Sequence, residues 1–153
     1  MSVMLRPMRW WDLPALDRLE GQLFTNPWSP EVFWSELAGV PSSKWCVVAV
    51  QNGVIVGYAV LRTMPPEADV QTVAVDPAAQ GEGLGAQLLD ALLVEATRRE
   101  CSQVFLEVRA DNLPAQRLYV SRGFEQLSIR HNYYGPNQDA LVMRRRIPVQ
   151  VST

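Results

Sequence analysis

The chain is poor in the residues that build metal and disulfide frameworks: it has two cysteines and one histidine among 153 residues. Cys46 and Cys101 are far apart and in no CxxC or ligand spacing, and His131 has no second histidine or cysteine near it. This argues against a disulfide scaffold and against a metal site. Both cysteines are expected to be small buried hydrophobes. Charge of one sign is lacking too. Lys plus Arg number 14 against 16 Asp plus Glu, a net charge of −2, which argues against nucleic-acid binding driven by bulk positive charge. No run approaches the roughly 20 apolar residues of a membrane span. The opening MSVMLRPMRWWD has no apolar stretch of the signal-peptide kind, so the expected location is the cytoplasm. No repeat, low-complexity block or long linker divides the sequence.

What is present is a steady alternation of elements. Hydrophobic residues make up 48% of the chain, enough to core one domain, expected over 1–147 with a short tail at 148–153. Met4 to Pro7 reads as a strand. Leu13, Leu16, Leu19 and Leu23 recur at helical spacing behind Asp12, a candidate N-cap. TNPWSPE interrupts this helix, and Ser29 followed by Pro30 starts a second one to about Leu37. Two β-rich runs flank Asn52-Gly53, a hairpin signal. MPPEA is a turn, DVQTVAV a strand ended by DPAAQ, and Gly83 to about Arg99 a helix with Leu84, Leu88, Leu89, Leu92, Leu93 and Ala96 on one face. QVFLEVR is a strand and DNLPAQRLYVSRG a short helix. FEQLSIR and DALVMRR are two closing strands around a loop, HNYYGPNQ. The order predicts α+β or mixed α/β architecture on a single sheet.

Gly81, Gly83 and Gly85 occupy alternate positions at the mouth of the third helix. A helix N-terminus carries unpaired N–H groups and roughly half a positive charge. Without β-carbons in the way, phosphate oxygens can reach those N–H groups. The plainer reading is a glycine-rich turn. The letters also fit G-x-G-x-x-G/A through Gly81, Gly83 and Ala86, with Glu107 as the acid about 20 residues on. DPAAQ, however, separates the first glycine from its strand, and too few elements follow for a second nucleotide-binding half.

In QVFLEVR, strand alternation puts Val104, Leu106 and Val108 on one face and Phe105, Glu107 and Arg109 on the other. A charged pair facing inward from an apolar strand suits either an ion pair between Glu107 and Arg109 or a carboxylate at a cleft. Tyr119, one helical turn beyond Ala115, suits core packing or a phenol at that cleft. Trp28 is either an anchor on the core or a wall of a slot. Tyr133 and Tyr134 are either half-buried strand-end aromatics or part of the same slot, and alternation predicts that only one points inward. His131 reads as a solvated loop residue and Arg144 to Arg146 as a solvated strand end. Asp17, Glu20, Glu31 and Glu36 read as solvated helix faces.

Gln80, Gly83, Gly85 and Ala86 form Q-x-x-G-x-G-A behind TVAVDP. This resembles the acyl-CoA pyrophosphate loop of the GNAT N-acetyltransferase superfamily. LEVR-x-x-N-x-x-A-x-x-LY-x-x-x-GF, together with NPWS and IRHNYY, closely resembles ribosomal-protein-alanine N-acetyltransferases of the RimI type, from Leu5 to Met143. The resemblance implies a GNAT fold, with a mixed, mainly antiparallel sheet of about seven strands flanked by about four helices. It implies acetyl-CoA as cosubstrate and no metal. Val73, Ala74 and Val75, on a strand splayed from its neighbour, would pair with the pantetheine arm. Gln80, Gly81, Glu82, Gly83, Leu84, Gly85 and Ala86 would form the pyrophosphate loop, and Asn112 would touch CoA. Members often carry Arg or Lys where this chain has Gly81 and Glu82, so backbone amides would supply most of the anion affinity.

The general base falls on Glu107 and the general acid on Tyr119, while Trp28, Tyr133 and Tyr134 fall at the substrate. The implied reaction acetylates the N-terminal Ala of a small-subunit ribosomal protein by direct attack through a tetrahedral intermediate. The attacking α-amine has a pKa near 7.7–8.0 and must lose a proton, which a carboxylate can take. A backbone N–H can hold the oxyanion, and a phenol can protonate the thiolate. The implied partner is a protein or peptide N-terminus, with no nucleic acid or membrane, the enzyme being a monomer or weak dimer. A lysine or small-amine acetyltransferase and a non-catalytic CoA-binding module are the competing readings.

Overall fold

The computed structural model describes residues 3–24 and 27–148. Asn26 of the NPWS motif and the tail from 149 to 153 lie outside the described residues. In chain order the elements are β1 (Met4–Pro7), α1 (Leu13–Leu23), α2 (Pro30–Ala38), β2 (Lys44–Gln51), β3 (Val54–Met64), β4 (Glu67–Val75), α3 (Leu84–Arg98), β5 (Gln103–Arg109), α4 (Leu113–Ser121), β6 (Glu125–Gly135) and β7 (Gln138–Arg146). They build a seven-stranded sheet in the order β1-β2-β3-β4-β5-β7-β6. Every pairing is antiparallel except β4 with β5. The expected mixed, mainly antiparallel α+β fold is the observed one.

Both faces of the sheet are covered, and strand alternation sorts β2 and β3 between them. Val47, Ala49, Ala59 and Leu61 face α3, whose Leu84, Leu88, Leu89, Leu92 and Ala96 form the larger core with Val104 and Leu106. Cys46, Val48, Tyr58 and Val60 face the other way, onto Leu13, Leu16 and Leu19 of α1 and Phe33 of α2. Leu88, Leu89 and Leu92 are fully buried, and each contributes about 1.5–3 kcal/mol by leaving water. Both cysteines are buried.

Local signals explain most boundaries. The Ser29 hydroxyl accepts the Val32 N–H ahead of Pro30, as a cap-then-proline start requires. Asn52 and Gly53 both take positive φ, 53° and 76°, which closes the β2–β3 hairpin. Asp12 departs from expectation. It precedes α1 but gives that helix no side-chain cap. Its carboxylate instead receives both Arg6 guanidinium nitrogens, at 2.8 and 2.9 Å, and the Arg9 N–H at 2.8 Å. Burial would raise its pKa, but those hydrogen bonds and the two arginine charges hold it below the usual carboxylate range.

The segment expected as the loop HNYYGPNQ is also different. β6 continues through Gly135, because β7 lies alongside and pairs with it at Arg130 opposite Ala140 and again at Gly135 opposite Gln138. Only two residues, Pro136 and Asn137, remain as the turn. No described helix is long and apolar enough to cross a membrane.

Candidate active site

The site begins where the sheet opens. β4 and β5 pair only at Glu67 with Gln103, Ala68 with Val104, and Asp69 with Phe105. Beyond Asp69, β4 follows β3 as far as Val75, while β5 follows β7 as far as Arg109. Gln71 is the extra residue at which the register shifts, between Val70 opposite Leu61 and Thr72 opposite Val60. A bulge of this kind bends its strand and raises its twist. A wedge therefore opens between two neighbouring strands, and Val73, Ala74 and Val75 have no partner on the β5 side. Half of their main-chain groups face the wedge.

The glycine loop closes the end of β4. Gly81 and Gly83 take φ of 86° and 79°, in the left-handed region, and a β-carbon at either would meet nothing within 4 Å. These two glycines are required by backbone conformation, and the space beside them is open. Gly85 has a different reason. A β-carbon there would lie 3.2 Å from Leu118, so its absence lets α3 approach α4. Gly83 is the N-cap of α3 and no side chain caps the helix, which leaves its first amides without a side-chain partner. Gln80 lies ahead of it and donates to the Val75 carbonyl at 3.2 Å, tying loop to strand end. Glu82 is exposed, as are Gly81 and Gly83, whereas Leu84 is buried in the core and Ala86 is half-buried.

The wedge forms two adjoining chambers, of about 700 and about 300 Å³. Trp28, Gln71, Glu107 and Tyr134 line both. The smaller also has Thr72, Val73, Asn112, Ala115 and Tyr119 on its walls, and the larger has Glu67, Asp69, Arg130 and Tyr133. The structure thus brings together Trp28, Val73, Glu107, Asn112, Tyr119, Tyr133 and Tyr134 from four separate elements and two connections.

Glu107 faces the cleft as alternation requires, with Val104, Leu106 and Val108 buried behind it. Its ion-pair partner is Arg130, at 3.4 Å, and its side chain is 30% exposed. The alternative pairing with Arg109 does not occur. Arg109 instead bonds Asp111 and Gln138, each at 3.2 Å, and lies over the Tyr134 ring. Tyr119 is buried and packs edge-to-face on Phe124. Burial, and then the charge of a neighbouring Tyr134, push its pKa up to about 12. Asn112 caps α4 through the Ala115 N–H at 3.2 Å while lining the smaller chamber.

Both tyrosines of the pair line the larger chamber, contrary to strict alternation. Register is interrupted between Arg130 and Gly135, and Asn132 takes φ of 56°. Its N–H and side chain are held by Asp139 and Asn137, at 2.9 and 2.8 Å. The kink turns successive residues to the same side. Hydrogen bonding by Glu107, and then its charge, raise the Tyr133 hydroxyl. Asp69 is also raised, chiefly by burial and further by the charges of Glu67 and Glu107, against Arg62 and Lys44.

Trp28 fills both roles open to it: its ring packs on Phe33 and it walls the cleft. Glu20 overturns the reading of a solvated face, being 2% exposed. Glu36 is likewise no free surface acid, since it pairs with Lys44 at 2.6 Å. Asp17 and Glu31 are exposed. A signal for Glu20 did exist, because Leu16, Glu20 and Leu23 fall on one helical stripe. His131 is exposed and bonds Asp139, and Arg145 is held by the Arg122 carbonyl. Among the described residues no three His, Cys, Asp or Glu side chains are placed to hold a metal.

This splayed pair of strands, ending under a glycine-lined helix tip, has a family counterpart. The model of the acetyltransferase (GNAT) family matches residues 10–124, and the chain belongs to that family. It is an N-acetyltransferase. Among relatives, an N-alpha-acetyltransferase RimI of Mycobacterium tuberculosis is 45% identical over 141 residues, covering 88% of this chain and 86% of that protein. The Escherichia coli [ribosomal protein bS18]-alanine N-acetyltransferase is 36% identical over 135 residues, covering 86% of this chain and 89% of the other. A crystal structure of the E. coli ribosomal-protein-S18-alanine N-acetyltransferase superposes with a TM-score of 0.89 at 33% identity, over 98% of this chain and 97% of that one.

Proposed function

We propose that the chain transfers the acetyl group of acetyl-CoA to the α-amine of a protein N-terminus, and that the acceptor is an Ala-starting small-subunit ribosomal protein. One observation carries the reading: a wedge between β4 and β5 has a carboxylate and a buried phenol on its walls and ends at an uncapped glycine nest. The nest fits a diphosphate, since its amides lack side-chain partners and no β-carbon stands in front of them. Val73, Ala74 and Val75 offer strand-edge groups to an amide-bearing arm lying along β4. Acetyl-CoA supplies the activated acetyl group.

The chain's own residues do the rest. Glu107 accepts the proton of the incoming ammonium, directly or through one water. Tyr119, kept protonated by burial, donates to the departing sulfur. A main-chain N–H at the splayed edge of β4 stabilises developing charge on the carbonyl oxygen. Trp28, Tyr133 and Tyr134 confine the first residues of the acceptor. The name of the M. tuberculosis relative supports an α-amine as acceptor, and that of the E. coli relative an alanine of a ribosomal protein.

The test offers acetyl-CoA with peptides beginning Ala, Ser or Met, with an N-blocked Ala peptide carrying an internal lysine, and with polyamines. The expected product is a singly acetylated Ala peptide, located at the α-amine by fragment mass spectrometry. Acetylation of the blocked peptide or the polyamines alone would assign a lysine or small-amine enzyme. Acetyl-CoA binding without turnover on any amine would leave a binding module.

A further inference from the structure

We propose that Glu20 is a positioning residue: its buried carboxylate, held on one side by the Tyr58 hydroxyl, pins the Trp28 amide and so sets the wall of the acceptor slot. The inference rests on the function proposed above for the same cleft.

Glu20 is 2% exposed, near the C-terminal end of α1. A carboxylate so placed is costly unless each oxygen is engaged. Both are. One accepts the Tyr58 hydroxyl and the other accepts the Trp28 N–H at 2.8 Å. The same three residues are joined a second way. The Trp28 ring meets Phe33 edge-to-face at 5.3 Å, and Phe33 meets Tyr58 at 5.7 Å. Tyr58 thus supports Trp28 at both ends, through its hydroxyl by way of Glu20 and through its ring by way of Phe33.

This closed circuit of contacts holds one segment, and that segment walls both chambers of the cleft. An acid needed only to attach α1 to β3 would need only Tyr58. The second oxygen goes to the main chain of Trp28, where a shift of the backbone moves the indole and changes the width of the cleft. Tyr58 is buried in the sheet, and β3 is paired on both edges, so the reference point is rigid. A charged acceptor makes the stronger kind of hydrogen bond to an N–H. Gln in its place keeps one acceptor oxygen and sets its NH2 either against the Trp28 N–H, which can only donate, or against the Tyr58 hydroxyl, which must then turn its own O–H away.

The experiment compares wild type, Glu20→Gln, Tyr58→Phe, the double variant, and Asp17→Asn as an exposed acid on the same helix. Folding is checked by circular dichroism and melting. Binding of acetyl-CoA is measured by calorimetry, kcat and KM by steady-state kinetics on an Ala-starting peptide, and Trp28 amide exchange by NMR. For Glu20→Gln the peptide KM should rise about tenfold with kcat within about threefold and acetyl-CoA affinity within about twofold, the effect of loosening one charged hydrogen bond in the ground state. Trp28 exchange should speed up. Tyr58→Phe keeps the ring ladder and loses the hydroxyl, so it should move the peptide KM in the same direction by less. The double variant should be no worse than Glu20→Gln, because the two act as one unit.

Unchanged peptide KM and unchanged Trp28 exchange in a folded Glu20→Gln would overturn the inference. So would a fall in kcat at constant KM, which assigns Glu20 to the chemistry, or an equal effect of Asp17→Asn. A wild type that acetylates only lysines or polyamines overturns the proposed function, and the KM comparison is then made on that acceptor. A wild type that acetylates nothing overturns both.

Discussion

Glu107 and Tyr119 differ in the property that their proposed roles as base and acid require. The carboxylate sits at the neck of the cleft with Arg130 beside it and reaches water, whereas the phenol is buried with its pKa pushed up to about 12. A base must exchange protons with an amine arriving from solvent, and an acid must still hold its proton at neutral pH. Glu107→Gln is expected to lower kcat about 100-fold near pH 6.5, within the usual range for a general base. The deficit should shrink above pH 8, where an α-amine of pKa about 7.7–8.0 is already neutral. Tyr119→Phe should slow turnover with acetyl-CoA affinity unchanged. Because the folded pKa lies near 12, the wild-type rate should show no Tyr119 ionisation below about pH 11. Rate–pH profiles of the three proteins with one peptide check these outcomes.

At the scale of the element, the helix tip of α3 is the proposed diphosphate site. Its three glycines answer to two different constraints, positive φ at Gly81 and Gly83 and close packing at Gly85. The left-handed region costs an L-residue about 1–2 kcal/mol, so the first two are conformational necessities. Glu82 lies between them, exposed, and contributes charge of the wrong sign for an anion. Glu82→Arg is therefore expected to tighten acetyl-CoA binding about tenfold at low salt and by only a few-fold near 0.15 M, where screening over about 8 Å weakens exposed charges. Calorimetric titration at two ionic strengths measures both. Peptide KM should not follow, because Trp28, Tyr133 and Tyr134 wall the chambers of the cleft and Glu82 lines neither.

For the whole molecule, two cores on opposite faces of one sheet leave titratable groups inside. Burial, reinforced by the Glu36 charge, pushes the Cys46 thiol up to about 12 from 9.0, and burial takes Tyr119 from 10.0 to about 12. Tyr58 is raised further by burial and by its bond to Glu20. Each of these groups has a folded pKa above its unfolded value. The stability each contributes is whole below the unfolded pKa and is lost as pH climbs to the folded one. The window is pH 9 to 12. The melting temperature should hold up to about pH 9 and fall steadily above it, and Cys46→Ala should flatten the first part of that fall. Differential scanning calorimetry from pH 7 to 11 tests the slope.

Read from the sequence alone, the chain determined its elements, its glycine loop and the facing of its fifth strand. These depend on periods of two and 3.6 residues, on capping at Ser29, and on backbone freedom at Gly81 and Gly83, all of which act within a few positions of the chain. The tertiary structure alone decided that Glu107 meets Arg130 and leaves Arg109 to Asp111 and Gln138. It alone carried β6 through His131 to Gly135 and turned both Tyr133 and Tyr134 to the cleft. It buried Glu20, whose place on an apolar stripe was visible but whose partners, Tyr58 and Trp28, stand 38 and eight residues away. The physical reason is common to all three. A strand's length, a kink's direction and a buried acid's cost are settled by whichever backbone or hydroxyl comes to lie opposite, and that is fixed only when distant segments pair.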